Sequence, residues 1–211
     1  MMKFCSALFL LAVITCCSCS RSAAHGFFHS AEEKFRAGDY QAAIADYTKA
    51  IELDPRYQFA YYNRGNAELA LQKYSDAVAD YSKAIELNPG DAAAYLNRGN
   101  TRYHLKDYAT AITDYDKAIE LNPGYDKAYN SRGAAENHLQ HYDRAIKDFD
   151  NAIKLNSKYA EAYNNRAVAK RGLKDFDSAI ADDDAAIELN PQYENAKVNR
   201  AEVEALKKQQ R

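Results

Sequence analysis

Proline and glycine are scarce in this chain, tryptophan is absent, and cysteine is confined to one place. The 211 residues include 4 Pro, 8 Gly and no Trp. The 4 cysteines, Cys5, Cys16, Cys17 and Cys19, all lie near the N-terminus. Everything after them can hold neither a disulfide framework nor a cysteine metal site. No charge of one sign dominates: 28 Lys and Arg face 30 Asp and Glu. That balance excludes strong electrostatic binding of nucleic acid by the chain as a whole. An apolar content of 47% excludes a mostly disordered chain. Long hydrophobic runs are missing too. The longest, Phe4 to Thr15, would span about 18 Å as a helix, short of the ~30 Å core of a bilayer.

That run, preceded by Lys3, reads as an export signal over residues 1–23. Val13-Ile14-Thr15-Cys16 resembles a bacterial lipobox, in which a cysteine receives lipid and becomes the new N-terminus. Thr15 departs from the small residue usual before that cysteine. Cys19, after Ser18, is a second lipidation candidate, and ordinary cleavage after Ala24 is the competing reading. The expected location is the periplasm or cell envelope, with membrane attachment only through this segment or a lipid.

The rest of the chain repeats itself. Tyr40, Tyr74, Tyr108, Tyr142 and Phe176 are spaced 34 residues apart, as are Pro55, Pro89 and Pro123, with Pro191 two periods on. Such a period marks a solenoid. In a frame that puts the prolines at slot 32, residues 24–57, 58–91, 92–125, 126–159 and 160–193 form five repeats, and 194–211 a closing helix. Each repeat carries two helical patterns. In the third, Tyr108, Ala111, Ile112, Tyr115, Ala118, Ile119 and Leu121 line one face of the second helix. Asn122-Pro123-Gly124 ends it. Gly65, Gly99 and Gly133 share slot 8 with Ala31, Ala167 and Ala201, where small residues let two helices approach closely.

Tyr61, Gly65, Tyr74, Ala77, Tyr81, Ala84 and Pro89, recurring in the other repeats, resemble the tetratricopeptide repeat family. The resemblance implies an all-α fold: a right-handed superhelical solenoid of five antiparallel helix pairs plus a C-terminal capping helix. It also implies a concave groove, lined by the first helices, that binds a peptide or partner protein.

Two charged slots are also periodic. Arg64, Arg98, Arg132, Arg166 and Arg200 occupy slot 7, and Asp46, Asp80, Asp114, Asp148 and Asp182 occupy slot 23. Pairing each Asp with the Arg of the next repeat leaves none over, so the expected ladder is Asp46–Arg64, Asp80–Arg98, Asp114–Arg132, Asp148–Arg166 and Asp182–Arg200. The aromatic slots point the same way, with Tyr47 facing Tyr61, Tyr81 facing Tyr95, Tyr115 facing Tyr129 and Phe149 facing Tyr163. At the last joint the pair becomes Asp183 and Lys197. Slot 11 alternates in sign through Lys34, Glu68, Arg102, Glu136 and Lys170. It is either a set of pairs between neighbouring repeats or a polar edge beside the ladder.

Of the 17 tyrosines, 15 fall on repeated slots, which leaves Tyr62 and Tyr103. By the resemblance both face the groove, as do Phe28, Phe35, Phe59, Leu69 and Leu96. Asn66 and Asn100 are expected to line the groove as well, and Asn97 lies on the same first helix as Asn100. Later repeats place Lys127, Asn130, Asn137, His138, His141, Asn164 and Arg171 there. The expected groove is apolar in its N-terminal half and polar, partly basic, in its C-terminal half. The family's carboxylate clamp is matched by Asn66, Asn97 and Lys127, but Tyr62 and Ser131 replace two of its cations. His104, His138 and His141 read as polar lining rather than a metal site. No catalytic constellation stands out, and no metal or cofactor is expected. The expectation is a non-enzymatic, exported and lipid-anchored interaction scaffold. The alternatives are a soluble secreted or periplasmic adaptor, or a non-catalytic subunit of an enzyme complex.

Overall fold

The computed structural model describes residues 5–209, with side chains from Ser20 onward. Cys16 and Cys19 lie outside the described side chains. Eleven α-helices and no strand occur among these residues: α1 Cys5–Arg36, α2 Tyr40–Leu53, α3 Gln58–Ala70, α4 Tyr74–Leu87, α5 Ala92–His104, α6 Tyr108–Leu121, α7 Asp126–His138, α8 Tyr142–Leu155, α9 Ala160–Gly172, α10 Phe176–Leu189 and α11 Glu194–Gln209. They make five helix pairs and a closing helix. The chain divides into two compact units, residues 1–90 with two pairs and residues 91–211 with three pairs and α11. Among the described residues no helix is long and apolar enough to cross a membrane.

Two turns recur, each with its own chemistry. Inside a repeat the chain reverses through a left-handed residue at slot 15. Gly38 occupies it once, but Gln72, Lys106, Gln140 and Lys174 also adopt φ of 58–64° there. The strain is offset by hydrogen bonds that close the helix end, such as Lys73 N to the Glu68 carbonyl at 2.8 Å. Between repeats, the side chain of slot 31 accepts the backbone N–H two residues on: Asn88 from Gly90, Asn122 from Gly124 and Asn156 from Lys158. This side-chain turn survives in the fourth repeat, where Ser157 replaces the proline.

Within a repeat the two helices meet where a slot-24 ring lies on slot 8. Tyr47, Tyr81, Tyr115 and Phe149 are fully buried. A Cβ built on Gly99 would fall 2.6 Å from the Tyr115 ring, and one on Gly133 2.7 Å from Phe149. Alanines at 0% exposure, among them Ala77, Ala84, Ala111 and Ala118, fill the rest of the contact. These rings turn inward onto slot 8 of their own repeat, and Tyr61 of the second repeat packs against the cluster that holds Tyr47. The slot-4 tyrosines also serve the arginines. The guanidinium carbons of Arg64, Arg98, Arg132 and Arg166 sit 5.5–5.7 Å from the ring centroids of Tyr61, Tyr95, Tyr129 and Tyr163.

The ladder has a different register from the expected one. Each arginine grips the aspartate of its own repeat: Arg64 with Asp80, Arg98 with Asp114, Arg132 with Asp148 and Arg166 with Asp182, through two nitrogens at 2.6–3.2 Å. Asp46 is not stranded, because Ser30 and Lys34 donate to it. Arg200, which has no second helix of its own, reaches Asp184 and Glu204. The remaining guanidinium nitrogen still ties repeats together, through slot 25: Arg64 to Thr48 at 2.9 Å, and Arg132 to Asp116 and Arg166 to Asp150 at 2.5 Å each. The reason is reach. The close helix contact at slot 8 brings slots 7 and 23 of one repeat face to face.

Slot 11 also points to the aspartate of its own repeat. Lys34 bonds Asp46, Arg102 bonds Asp114 at 2.7 Å, and Lys170 bonds Asp182 at 2.7 Å. In the second and fourth repeats the same slot sets acid against acid. Glu136 escapes by accepting from His141 at 2.7 Å. Glu68 is 7% exposed, and its Oε2 is buried with no partner. Burial first, then the Asp80 charge, push its carboxyl up to about 8, with Arg64 opposing. Asp183 corrects a further expectation. Lys197 bonds Glu194 at 2.8 Å instead. Asp183 stands fully buried where other repeats hold a ring, both oxygens unpaired. Burial pushes it up to about 7.

Two outcomes follow from these buried groups. Arg132→Ala leaves Asp148 buried without its partner and is expected to cost about 3–5 kcal/mol, while Arg200→Ala, at an exposed pair, stays within about 1 kcal/mol. Equal melting shifts for the two variants contradict the ladder's role. Glu68 and Asp183 bind their protons more tightly folded than unfolded, so their contribution is full below pH ~4 and is lost as pH rises toward about 8 and about 7 respectively. Glu68→Gln and Asp183→Asn are each expected to raise the melting temperature at pH 8 and to flatten its fall between pH 5 and 8. A melting profile as steep as that of the parent chain rules this out.

Candidate functional site

The side chains expected to line a groove divide into three groups. Some are core. Phe28 is 7% exposed and packs on Tyr47 and Tyr57, and Leu96 is 4% exposed beside Tyr115. Asn130, 3% exposed, is spent on holding repeats together: its amide donates to Tyr159 and Glu161, and its oxygen accepts from Asn165 at 3.1 Å. Asn164 does the same with Asn199 at 2.8 Å. These four positions are corrected from lining to packing, because their side chains are spent against neighbouring helices.

A second group supports the core from the rim. Asn66 and Asn100 accept the hydroxyls of Tyr81 and Tyr115 at 2.7 and 3.0 Å. Tyr62 lies edge-on against Tyr81, 5.8 Å between centroids. In the fourth repeat the hydroxyl and its acceptor vanish together, with Phe149 at slot 24 and Ala134 at slot 9.

The third group reaches solvent. In the N-terminal unit Phe59 is 58% exposed and Leu69 half-buried. In the C-terminal unit Lys127 is exposed, and Arg171 holds Glu202 at 2.6 Å. Here α5, α7 and α9 enclose a cleft of about 180 Å³ lined by Tyr103, Ala134, Asn137, His138, Asn165 and Val168. Its aromatic wall is fixed internally. His138 stacks on Tyr108 at 4.5 Å and 5°, and Tyr103 meets both rings edge-on at 5.3 Å. Burial, with Tyr108 and Glu161 nearby, pushes the Tyr103 phenol up, so it stays a neutral donor. Asn137 donates to the Asn165 carbonyl at 3.0 Å, while its Oδ1 is buried without a partner.

Tyr103, Asn137 and His138 were legible as groove positions. Ala134, Asn165 and Val168 were not. The signal was present at slot 9, where Asn66 and Asn100 give way to Ala134 and Val168. That change removes the polar rim and opens an apolar floor. His141, bonded to Glu136, lies outside the cleft lining. Among the described residues no group of three His, Cys, Asp or Glu converges on one point.

The family model for the tetratricopeptide repeat matches residues 62–126 and 138–194, and a further TPR repeat model matches residues 31–69. Among solved structures, a MamA protein aligns with a TM-score of 0.74 at 24% identity, covering 81% of this chain and 93% of that one. YrrB, described as a TPR protein with an unusual peptide-binding site, aligns at 0.71 and 23% identity, covering 83% and 90%. A tetratricopeptide repeat protein from Parabacteroides merdae aligns at 0.78 and 20% identity, covering 86% and 72%. At these identities the likeness is one of fold. No curated protein matches the chain. Repeat period, helix pairing and a family model spanning more than half of the residues agree: the chain belongs to the tetratricopeptide repeat family.

Proposed function

We propose that this protein is a non-enzymatic scaffold that binds a peptide segment of a partner protein in the groove of its C-terminal unit. The observation that carries the reading is the cleft between α5, α7 and α9. It combines an apolar floor at Ala134 and Val168 with an aromatic wall at Tyr103 and His138 held ring against ring. A cleft of this size takes one side chain. The peptide-binding site named for YrrB lends the reading support from a similar fold.

The scaffold is exported and held in a bacterial envelope by a lipid on Cys16 or Cys19. Packing at the start of the first repeat supports this over cleavage after Ala24. Ala24 is fully buried, Arg21 lies 3.7 Å from Asp54, and the His25 ring rests on Tyr57 with a 2.9 Å hydrogen bond. Cleavage after Ala24 removes the first two of these contacts, whereas a mature terminus at either cysteine keeps all three.

Both parts are testable. Peptides selected from a phage-displayed library on the folded chain are expected to lose about tenfold in affinity against Tyr103→Ala, the cost of one central aromatic contact, and to be blocked by Val168→Trp with the melting curve retained. A selection that yields no binders, or binders indifferent to both changes, removes the groove reading. Mass determination of the mature protein is expected to show a diacylglyceryl cysteine; a free terminus near His25 overturns the anchor and leaves the groove untouched.

A further inference from the structure

Away from the groove, one row of the fourth repeat breaks the repeat pattern. Arg144, Lys147, Asn151 and Lys154 are spaced i, i+3, i+7 and i+10 on α8, all exposed. They form a single stripe about 15 Å long at 1.5 Å per residue. The same four slots read Asp76, Ala79, Lys83 and Glu86 in the second repeat, Thr110, Thr113, Lys117 and Glu120 in the third, and Ser178, Ala181, Ala185 and Glu188 in the fifth. The row carries a net charge of +3 in the fourth repeat and between 0 and −1 in each of the others.

The difference is a lost neutralisation as well as added cations. In the second and third repeats the row pairs with itself, Lys83 to Glu86 and Lys117 to Glu120, both at 2.7 Å. In the fourth, Asn151 and Lys154 take those places, and neither Lys147 nor Lys154 has an ion pair among the described residues. The nearest carboxylate to Arg144 is Glu136 at 3.9 Å, itself already bonded by His141. Arg144, Lys147 and Asn151 form one wall of an open trough of about 460 Å³. The acids that also line it are occupied: Asp116 and Asp148 by Arg132, Glu136 by His141.

We propose that this stripe is a second docking surface, independent of the groove, and that its occupant is an acidic segment of a partner protein. Uncompensated cations in one row attract a ligand that is itself narrow. A planar anionic membrane fits less well. The flanking row carries the exposed Asp143 and Asp150, which a flat surface meets together with the stripe. The apolar side of α8, at Ala145, Phe149 and Ala152, is fully buried and has nothing to insert into lipid.

The test uses a fluorescein-labelled decaglutamate peptide, a decaglutamine control, and vesicles of phosphatidylglycerol with phosphatidylcholine. The full chain is expected to bind decaglutamate at low salt, with affinity falling as salt rises, and to ignore decaglutamine. The variant Arg144→Ser/Lys147→Ala/Lys154→Glu, which installs residues found at these slots in other repeats, is expected to lose at least tenfold. Tyr103→Ala is expected to bind decaglutamate as the parent does, so that failure here is distinct from failure of the groove. The exposed positions keep the variant folded, which its melting curve checks. Absence of decaglutamate binding, unchanged binding by the triple variant, or vesicle binding that exceeds peptide binding each overturns the proposal.

Discussion

The close approach of the two helices in each repeat is the constraint on which the rest depends. A ring at slot 24 lies on a small residue at slot 8, close enough that a Cβ on Gly99 would stand 2.6 Å from Tyr115. That contact needs alanines around it, and they are fully buried. It also brings slot 7 within reach of slot 23, so Arg64, Arg98, Arg132 and Arg166 grip the aspartate of their own repeat, and Arg64, Arg132 and Arg166 keep a nitrogen for slot 25 of the repeat before. The cation–aromatic contact with slot 4 completes the seat of each guanidinium.

Repetition makes the exceptions informative. Glu68 and Asp183 are carboxyl groups placed where the pattern supplies a cation and a ring, and both are buried without full hydrogen bonding. Burial pushes both carboxyls up, one in each unit. Neither changes the backbone around it, because the helix contact is carried by many slots at once. The solenoid tolerates a local defect that a globular core of the same size would transmit.

Binding surfaces arise where the pattern relaxes. At slot 9 the loss of asparagine in the fourth and fifth repeats removes the polar partner of the core tyrosine and leaves the apolar floor of the cleft. On the outside of α8 the loss of the Lys–Glu pair leaves three cations in one row. Each departure costs the fold little, since both are at its surface. The proposed groove and the proposed stripe would give a short scaffold two ways to hold a partner.

The period of 34, the two helices per repeat, the small residue at slot 8 and the proline turns were legible in the sequence, because a repeated backbone shows its requirements five times over. Periodicity also identified the arginine and aspartate slots, but not which repeat each belonged to. Pairing the two slots by count gives the wrong register, because Ser30 and Lys34 serve Asp46, and Asp184 and Glu204 serve Arg200. Groove residues were the least legible. Phe28, Leu96 and Asn130 share a slot with Tyr62, yet only packing decides which of these side chains is swallowed and which meets water. Sequence alone determined the architecture, since spacing along a helix sets which residues share a face. The tertiary structure alone decided partners and exposure, since those depend on distances between helices that spacing does not contain.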